Sequence, residues 1–161
     1  MKTLGNILWH FPFFGFLCAL VYALIGGFFC LTVVGLPIGL GLLQFSKFLL
    51  SPFSNAMVSS SEVDKMKGAE QNPLWKTFSL IVRILYFPFG LFAAAGAVFL
   101  IAAQFISIIG IPCGMVWAKS FGTIFNPVGK TCVPAIVGQE IKNRKDQETL
   151  NKYTGGQGTG V

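Results

Sequence analysis

Charge is what this sequence has least of. Only 11% of its 161 residues are Asp, Glu, Lys or Arg, against about 25% in a soluble domain whose surface faces water. The shortage is concentrated. No charged residue occurs from Thr3 to Ser46, and none from Ile84 to Ala118. Hydrophobic residues make up 53%, so the polar coat of a soluble fold is missing. A spanning helix takes about 20 apolar residues, which gives the first run room for two crossings and the second for nearly two. Insertion into a bilayer follows.

Other absences narrow the chemistry. No acidic residue lies inside either apolar run. That removes the carboxylate which a proton relay, a bound cation or hydrolysis within the membrane would use. The four cysteines, Cys18, Cys30, Cys113 and Cys132, form no CxxC pair, so neither a zinc site nor a disulfide framework is signalled, and they read as small hydrophobes. His10 is the single histidine, beside Trp9 at the membrane edge, with no second metal ligand near it. Gly129-Lys130-Thr131 echoes the end of a phosphate-binding loop, but Ile124 stands where that loop needs glycine. No catalytic residue, metal or cofactor is assigned, and the expectation is a protein that is not an enzyme. Nucleic-acid binding is excluded by the lack of a soluble basic face interleaved with aromatics. Lys2 precedes an apolar stretch, and Val21-Tyr22-Ala23 imitates a cleavage site. The run continues far past that point, so a cleaved signal peptide is not expected.

What is present is a repeat. Gly35-Leu36-Pro37-Ile38-Gly39 returns as Gly110-Ile111-Pro112-Cys113-Gly114, 75 residues later, and the same offset carries Pro52 onto Pro127 and Val58 onto Val133. Phe11-Pro12-Phe13 returns as Phe87-Pro88-Phe89. Proline and glycine in register over such a length indicate duplication of one unit. Each unit reads as an amphipathic lead-in, a helix start or kink at Pro12 or Pro88, and a proline-free apolar stretch over 13–32 or 89–108. A Gly-x-Pro-x-Gly turn and a short return arm, 38–51 or 113–126, complete it. The predicted organisation is a first hairpin over 1–58, a polar linker over 59–76, a second hairpin over 77–133 and a polar tail over 134–161. The Gly-rich end of that tail, 155–161, has nothing to pack and is expected to be flexible. Gly35, Pro37, Gly39, Gly110, Pro112 and Gly114 are read as turn residues first, and as close-packing glycines second.

At these turns, preceded by Thr32-Val33-Val34 and Ser107-Ile108-Ile109, the chain resembles the YccF family of bacterial inner-membrane proteins. Its unit is a Gly-rich membrane hairpin, in one or two copies, with a Gly-Ile-Pro-Phe-Gly-like turn and a downstream Pro-Phe-Gly-basic stretch. The second half keeps Pro127-Val128-Gly129-Lys130, whereas the first has Pro52-Phe53-Ser54-Asn55 and departs at the glycine and the basic residue. The resemblance implies an all-α, multi-pass inner-membrane protein of about four segments, and carries no reaction or catalytic residue with it.

Orientation comes from charge. Eight of the 12 basic residues lie at the N-terminus (Lys2), in the linker (Lys65, Lys67, Lys76) and in the tail (Lys142, Arg144, Lys145, Lys152). If each half is a hairpin these segments share one side, which the positive-inside rule makes the cytoplasm. The repeat is then parallel, with a pseudo-twofold axis along the membrane normal. The expected surroundings are the bilayer, anionic lipid headgroups, and either a second copy or a membrane partner protein. Gln44 and Lys119 occupy equivalent positions, with Lys47 one helical turn beyond Gln44. Together with Gln104 they are the candidate polar interior. Two readings follow: a structural or accessory membrane component, or an oligomeric channel or small-solute transporter lined by Lys119, Lys47 and Gln44.

Overall fold

The computed structural model of the chain describes residues 2–11, 13–69, 72–108 and 110–154. Helix α1 (Lys2–His10) leads into an apolar hairpin of α2 (Gly15–Cys30) and α3 (Leu36–Leu50), followed by strand β1 (Asn55–Ser59) and helix α4 (Ser60–Lys67). A long helix α5 (Pro73–Ile106) then pairs with α6 (Ile111–Phe125), and strand β2 (Lys130–Pro134) and helix α7 (Ala135–Thr154) end the described chain. Elements α3 and α6, and β1 and β2, coincide at an offset of 75 residues. Local geometry follows the same offset. The helix-start residues Gly35 (φ −77°, ψ −13°) and Gly110 (φ −75°, ψ −15°) match, as do the ends Ser51 and Asn126, both at φ −152°.

Pro37 and Pro112 lie in the first turn of their helices, where no intrahelical donor is lost and a fixed φ favours helix. The turn before α3 is tied by Thr32, whose Oγ1 donates to the Phe29 carbonyl (2.9 Å) and accepts from the Gly35 N–H (3.1 Å). Gly26 of α2 and Gly39 of α3 let the two backbones touch. A Cβ on Gly39 would come within 2.6 Å of the Gly26 carbonyl. Further along, Ser46 Oγ donates to the Ala19 carbonyl (2.7 Å) and the rings of Tyr22 and Phe45 meet edge to face at 4.8 Å.

Of the helix start or kink expected at Pro88, no start is there. Helix α5 begins at Pro73, capped by Asn72 Oδ1 accepting from the Leu74 N–H (3.1 Å), and runs unbroken through Pro88. A proline removes one helical hydrogen bond, but ending the helix in apolar surroundings would strand several more. Its counterpart Pro12 lies outside the described residues, and the helices flanking it, α1 and α2, meet at 76°. The two lead-ins therefore differ: α1 folds back over the end of α3, whereas its counterpart is continuous with the apolar helix. Among the described helices, α5 alone is long and apolar enough to cross a bilayer, and α1 with α2 qualifies as a bent pair.

The chain is mostly helical, as expected, with one addition. Strands β1 and β2 form an antiparallel two-stranded ribbon in which Asn55 faces Pro134, Met57 faces Cys132 and Ser59 faces Lys130. Met57 and Cys132 are equivalent at the 75-residue offset, so the ribbon is centred on a local twofold axis. Flanking bonds from Ala135 N–H to the Ser54 carbonyl and from Ser60 N–H to the Gly129 carbonyl (both 2.9 Å) fix the alternation. They make Met57 and Cys132 a non-hydrogen-bonded pair. Its N–H groups point away from the ribbon and need other partners, and Gln44 Oε1 accepts from the Cys132 N–H (3.2 Å).

Residues expected to be linker and tail are partly helical. Helix α4 follows β1 directly, and α7 packs on the ribbon through Gly138 against Ala56 and through buried Ile141. The expected flexible end, 155–161, lies outside the described residues. Return arm α3 is the centre of the packing. Its Phe45, Phe48 and Leu49 cluster with Trp9, Ala19, Cys113 and Val116, and its Ile38 and Leu42 cluster with Val82 and Val128.

Candidate functional site

The six turn residues form two compact corners, but for a reason other than backbone freedom. Gly35 and Gly110 have ordinary right-handed φ angles, so neither turn needs glycine for its φ. Space is what they provide. A Cβ on Gly35 would strike Thr32 Oγ1 and the Phe29 carbonyl, and one on Gly110 would strike the Gln104 carbonyl and side chain. Gly39 meets the facing helix α2 in the same way. Gly114 is the least demanding, with Gln104 and Phe105 at an ordinary 3.4 Å.

The four residues expected to form a polar interior do not converge. Gln44 and Lys47 face β2: Gln44 bonds the Cys132 N–H, and the exposed Lys47 lies close enough to oppose the rise that burial imposes on the Cys132 thiol pKa. Lys119 is elsewhere, its Nζ donating to the Pro52 carbonyl (3.0 Å) and lying 5.9 Å from the centre of the Phe53 ring. Gln104 sits in the corner under Gly110. The equivalent pair Gln44 and Lys119 therefore serve opposite needs, since an amide oxygen satisfies a strand N–H and an ammonium satisfies a carbonyl. Gly41 packs against the Pro127 carbonyl, so α3 is held beneath the ribbon at both Gly41 and Gln44.

The lead-in α1 is bound to the same region. Asn6 donates to Ser54 Oγ (3.0 Å) and accepts from the Phe53 N–H (3.1 Å), and Trp9 Nε1 donates to the Leu49 carbonyl (2.7 Å). Trp9 also meets Trp117 edge to face at 6.4 Å. Trp9 is 1% exposed, a core residue where the sequence indicates an interfacial anchor. His10 Nε2 lies 2.8 Å from the Leu50 carbonyl. The four cysteines are free, and no group of three metal-ligating side chains exists among the described residues.

One cluster is absent from the sequence reading. Arg83 Nη2 donates to the Val128 carbonyl (3.2 Å), and Ser60 Oγ to the Gly129 carbonyl (3.1 Å). Lys130 stands beside them, its pKa lowered by burial first and then by the Arg83 and Lys145 charges. The sequence signal was the basic residue after Gly129, which the first half replaces with Asn55. Without the ribbon, nothing brought Arg83 to it.

The outer surface is apolar on the scale of a lipid-facing protein. Leu24, Phe28, Phe92 and Phe99 are each about two-thirds exposed or more, along helices that carry no charge at those levels. A surface of that kind marks a membrane or partner contact. No curated protein and no solved structure matches the chain. Residues 4–55, from α1 through α3 to the first residue of β1, match the YccF family model, an inner membrane component domain.

Proposed function

We propose that this is a non-enzymatic structural or accessory component of the inner membrane, built from two tandem copies of one hairpin unit. About four segments enter the bilayer, and both termini and the linker face the cytoplasm. The observation that carries this reading is the ribbon. Its strands are equivalent at the repeat offset and pair about a twofold axis normal to the ribbon. Were that axis in the membrane plane, the halves would be inverted and the ribbon would lie at mid-bilayer. Lys130, Glu62 and Lys145, which surround it, would then be buried in hydrocarbon at high cost. An axis along the membrane normal keeps the ribbon at the surface and makes the repeat parallel. The segments expected on one side also gather there. Asn6 of α1 bonds Ser54, α7 packs on Ala56, and Lys145 of α7 lies 3.6 Å from Glu62 of α4.

At ~1.5 Å per residue α2 and α3 reach ~24 and ~22 Å, short of the ~30 Å hydrocarbon core. With α3 held under the ribbon, the hairpins enter from the cytoplasmic face and the return arms stay shallow. The exposed apolar faces of α2 and α5 are then the surfaces offered to lipid, to a second copy or to a partner helix. The channel reading draws less support, because Gln44, Lys47, Gln104 and Lys119 lie in separate places. Reporter fusions after Met66 and at Val161 test the proposal: activity is expected only in a cytoplasm-requiring format. Periplasmic activity at either site would overturn the parallel arrangement.

A further inference from the structure

We infer that the pocket between the β1–α4 junction, α5 and Gly129 is a binding site for the phosphate group of an anionic phospholipid. A cavity of about 170 Å³ is lined by Ser59, Ser60, Ser61, Lys76, Ser79 and Arg83. Lys130 lines two further cavities, one sharing Ser60 and Ser79 with the first and the other sharing Ser59 and Arg83. The pocket is open because Gly129, at φ +69°, has no side chain. A Cβ there would lie 3.4 Å from Arg83 Nη2 and 3.7 Å from Ser60 Oγ, so guanidinium and hydroxyl open onto one spot. Substitution at Gly129 is strained as well as obstructive.

The charge in this place is not balanced. Among the described residues no carboxylate forms an ion pair with Arg83 or Lys130; Glu62, the acid that faces the group, is shared between Lys65 (3.7 Å) and Lys145 (3.6 Å). The pKa of Lys130 is lowered by burial first and then by the Arg83 and Lys145 charges. Folding holds its ammonium against burial and two like charges, a penalty relieved as pH rises through the folded pKa. An anion would relieve it at any pH. Ser79 and the bonded pair of Ser59 and Ser61 hydroxyls (2.9 Å) add neutral polar groups around the cations, a mixture that suits a phosphate with several acceptor oxygens. Ser59 lies at the start of α4, where its side chain makes no cap bond.

The apolar surroundings single out a lipid over a free phosphate ester. Tyr86 follows Arg83 by one turn of α5 and enters a groove of about 500 Å³ lined with Tyr22, Phe29, Ile38, Leu42 and Phe89. Helix α5 thus lines the cationic cavity and, one turn on, an apolar groove that it shares with α2 and α3. The site lies at the ribbon level, where headgroups lie if the ribbon faces the cytoplasmic surface. To that extent the inference rests on the proposed orientation.

The test uses the full-length protein purified in mild detergent. Native mass spectrometry measures retained phosphatidylglycerol against phosphatidylcholine, and thermal unfolding is followed with added glycerol 3-phosphate. Lys130→Gln is expected to lower phosphatidylglycerol retention roughly tenfold, the worth of one charge-assisted contact. Lys152→Gln, on the exposed end of α7, is expected to leave it unchanged. In anion-free detergent Lys130→Gln should unfold at higher temperature than wild type, which a variant that fails to fold cannot do. Stabilisation by glycerol 3-phosphate without lipid retention would overturn the lipid assignment in favour of a soluble phosphate ester. Equal retention in the Lys130 and Lys152 variants would overturn the site. The soluble-anion arm requires no bilayer, so a reversed fusion result with an intact phosphate response separates failure of the orientation from failure of the site.

Discussion

At the scale of residues, the glycines divide by what their missing side chains would meet. Gly39 lies against the Gly26 carbonyl and against Cys30 Sγ, both at 2.6 Å from a Cβ position, while Gly27, one residue after Gly26 on α2, has nothing within 4 Å. Gly39→Ala is therefore expected to destabilise by about 1–3 kcal/mol through overpacking. Gly27→Ala should stabilise by about 0.5–1 kcal/mol, because alanine loses less backbone entropy in a helix. Unfolding in detergent measures both, and a shared sign would refute the close approach of α2 and α3. Gly5 of α1 also sits in a close contact, its Cβ position 2.8 Å from the Phe53 ring. The importance of the turn glycines was legible from their spacing. The cause was not, because spacing alone does not separate φ freedom from contact. Gln44 and Lys119 were legible as equivalent positions for the same reason, yet what each bonds depends on the ribbon.

At the scale of elements, the ribbon is the feature that periodicity missed. Asn-Ala-Met-Val-Ser and Lys-Thr-Cys-Val-Pro are short and only weakly alternating, and their partners are 75 residues apart, so local pattern gives little sign of them. The pairing has a direct test. Met57 and Cys132 are a non-hydrogen-bonded pair, with Cα atoms about 4.5 Å apart in such a ladder, within the range a disulfide spans. In a background lacking Cys18, Cys30 and Cys113, Met57→Cys should cross-link to Cys132 on mild oxidation. After proteolysis in the linker, the two fragments should stay joined until reduced. Val58→Cys, on the opposite face, should not cross-link. Cross-linking at Val58 instead would shift the register by one residue. Helix α5 makes the complementary point. The proline rule allowed a start or a kink at Pro88, and within a long apolar helix no start occurs there.

At the scale of the whole molecule, composition was the most legible layer. Uncharged runs marked the apolar hairpins, and basic residues marked the segments that gather around the ribbon. The mutual arrangement of the halves was not legible, because it is carried by contacts such as Gly41 on Pro127 and Trp9 on Trp117, none of them visible as a pattern along the chain.

The ribbon also bears on synthesis. Strand β1 leaves the ribosome long before its partner, at a few to some twenty residues per second, and for several seconds it is an open edge. A register centred on Met57 is compatible with a second β1 in place of β2, since both sides of a twofold pair carry equivalent positions. Chains released before Lys130, or cut back to Ser59, are thus expected to associate as antiparallel dimers through Met57, detectable as a Met57→Cys cross-linked species. Completion of β2 converts that intermolecular pairing into an internal one. In the finished protein the second half occupies the place that another copy of the first would take.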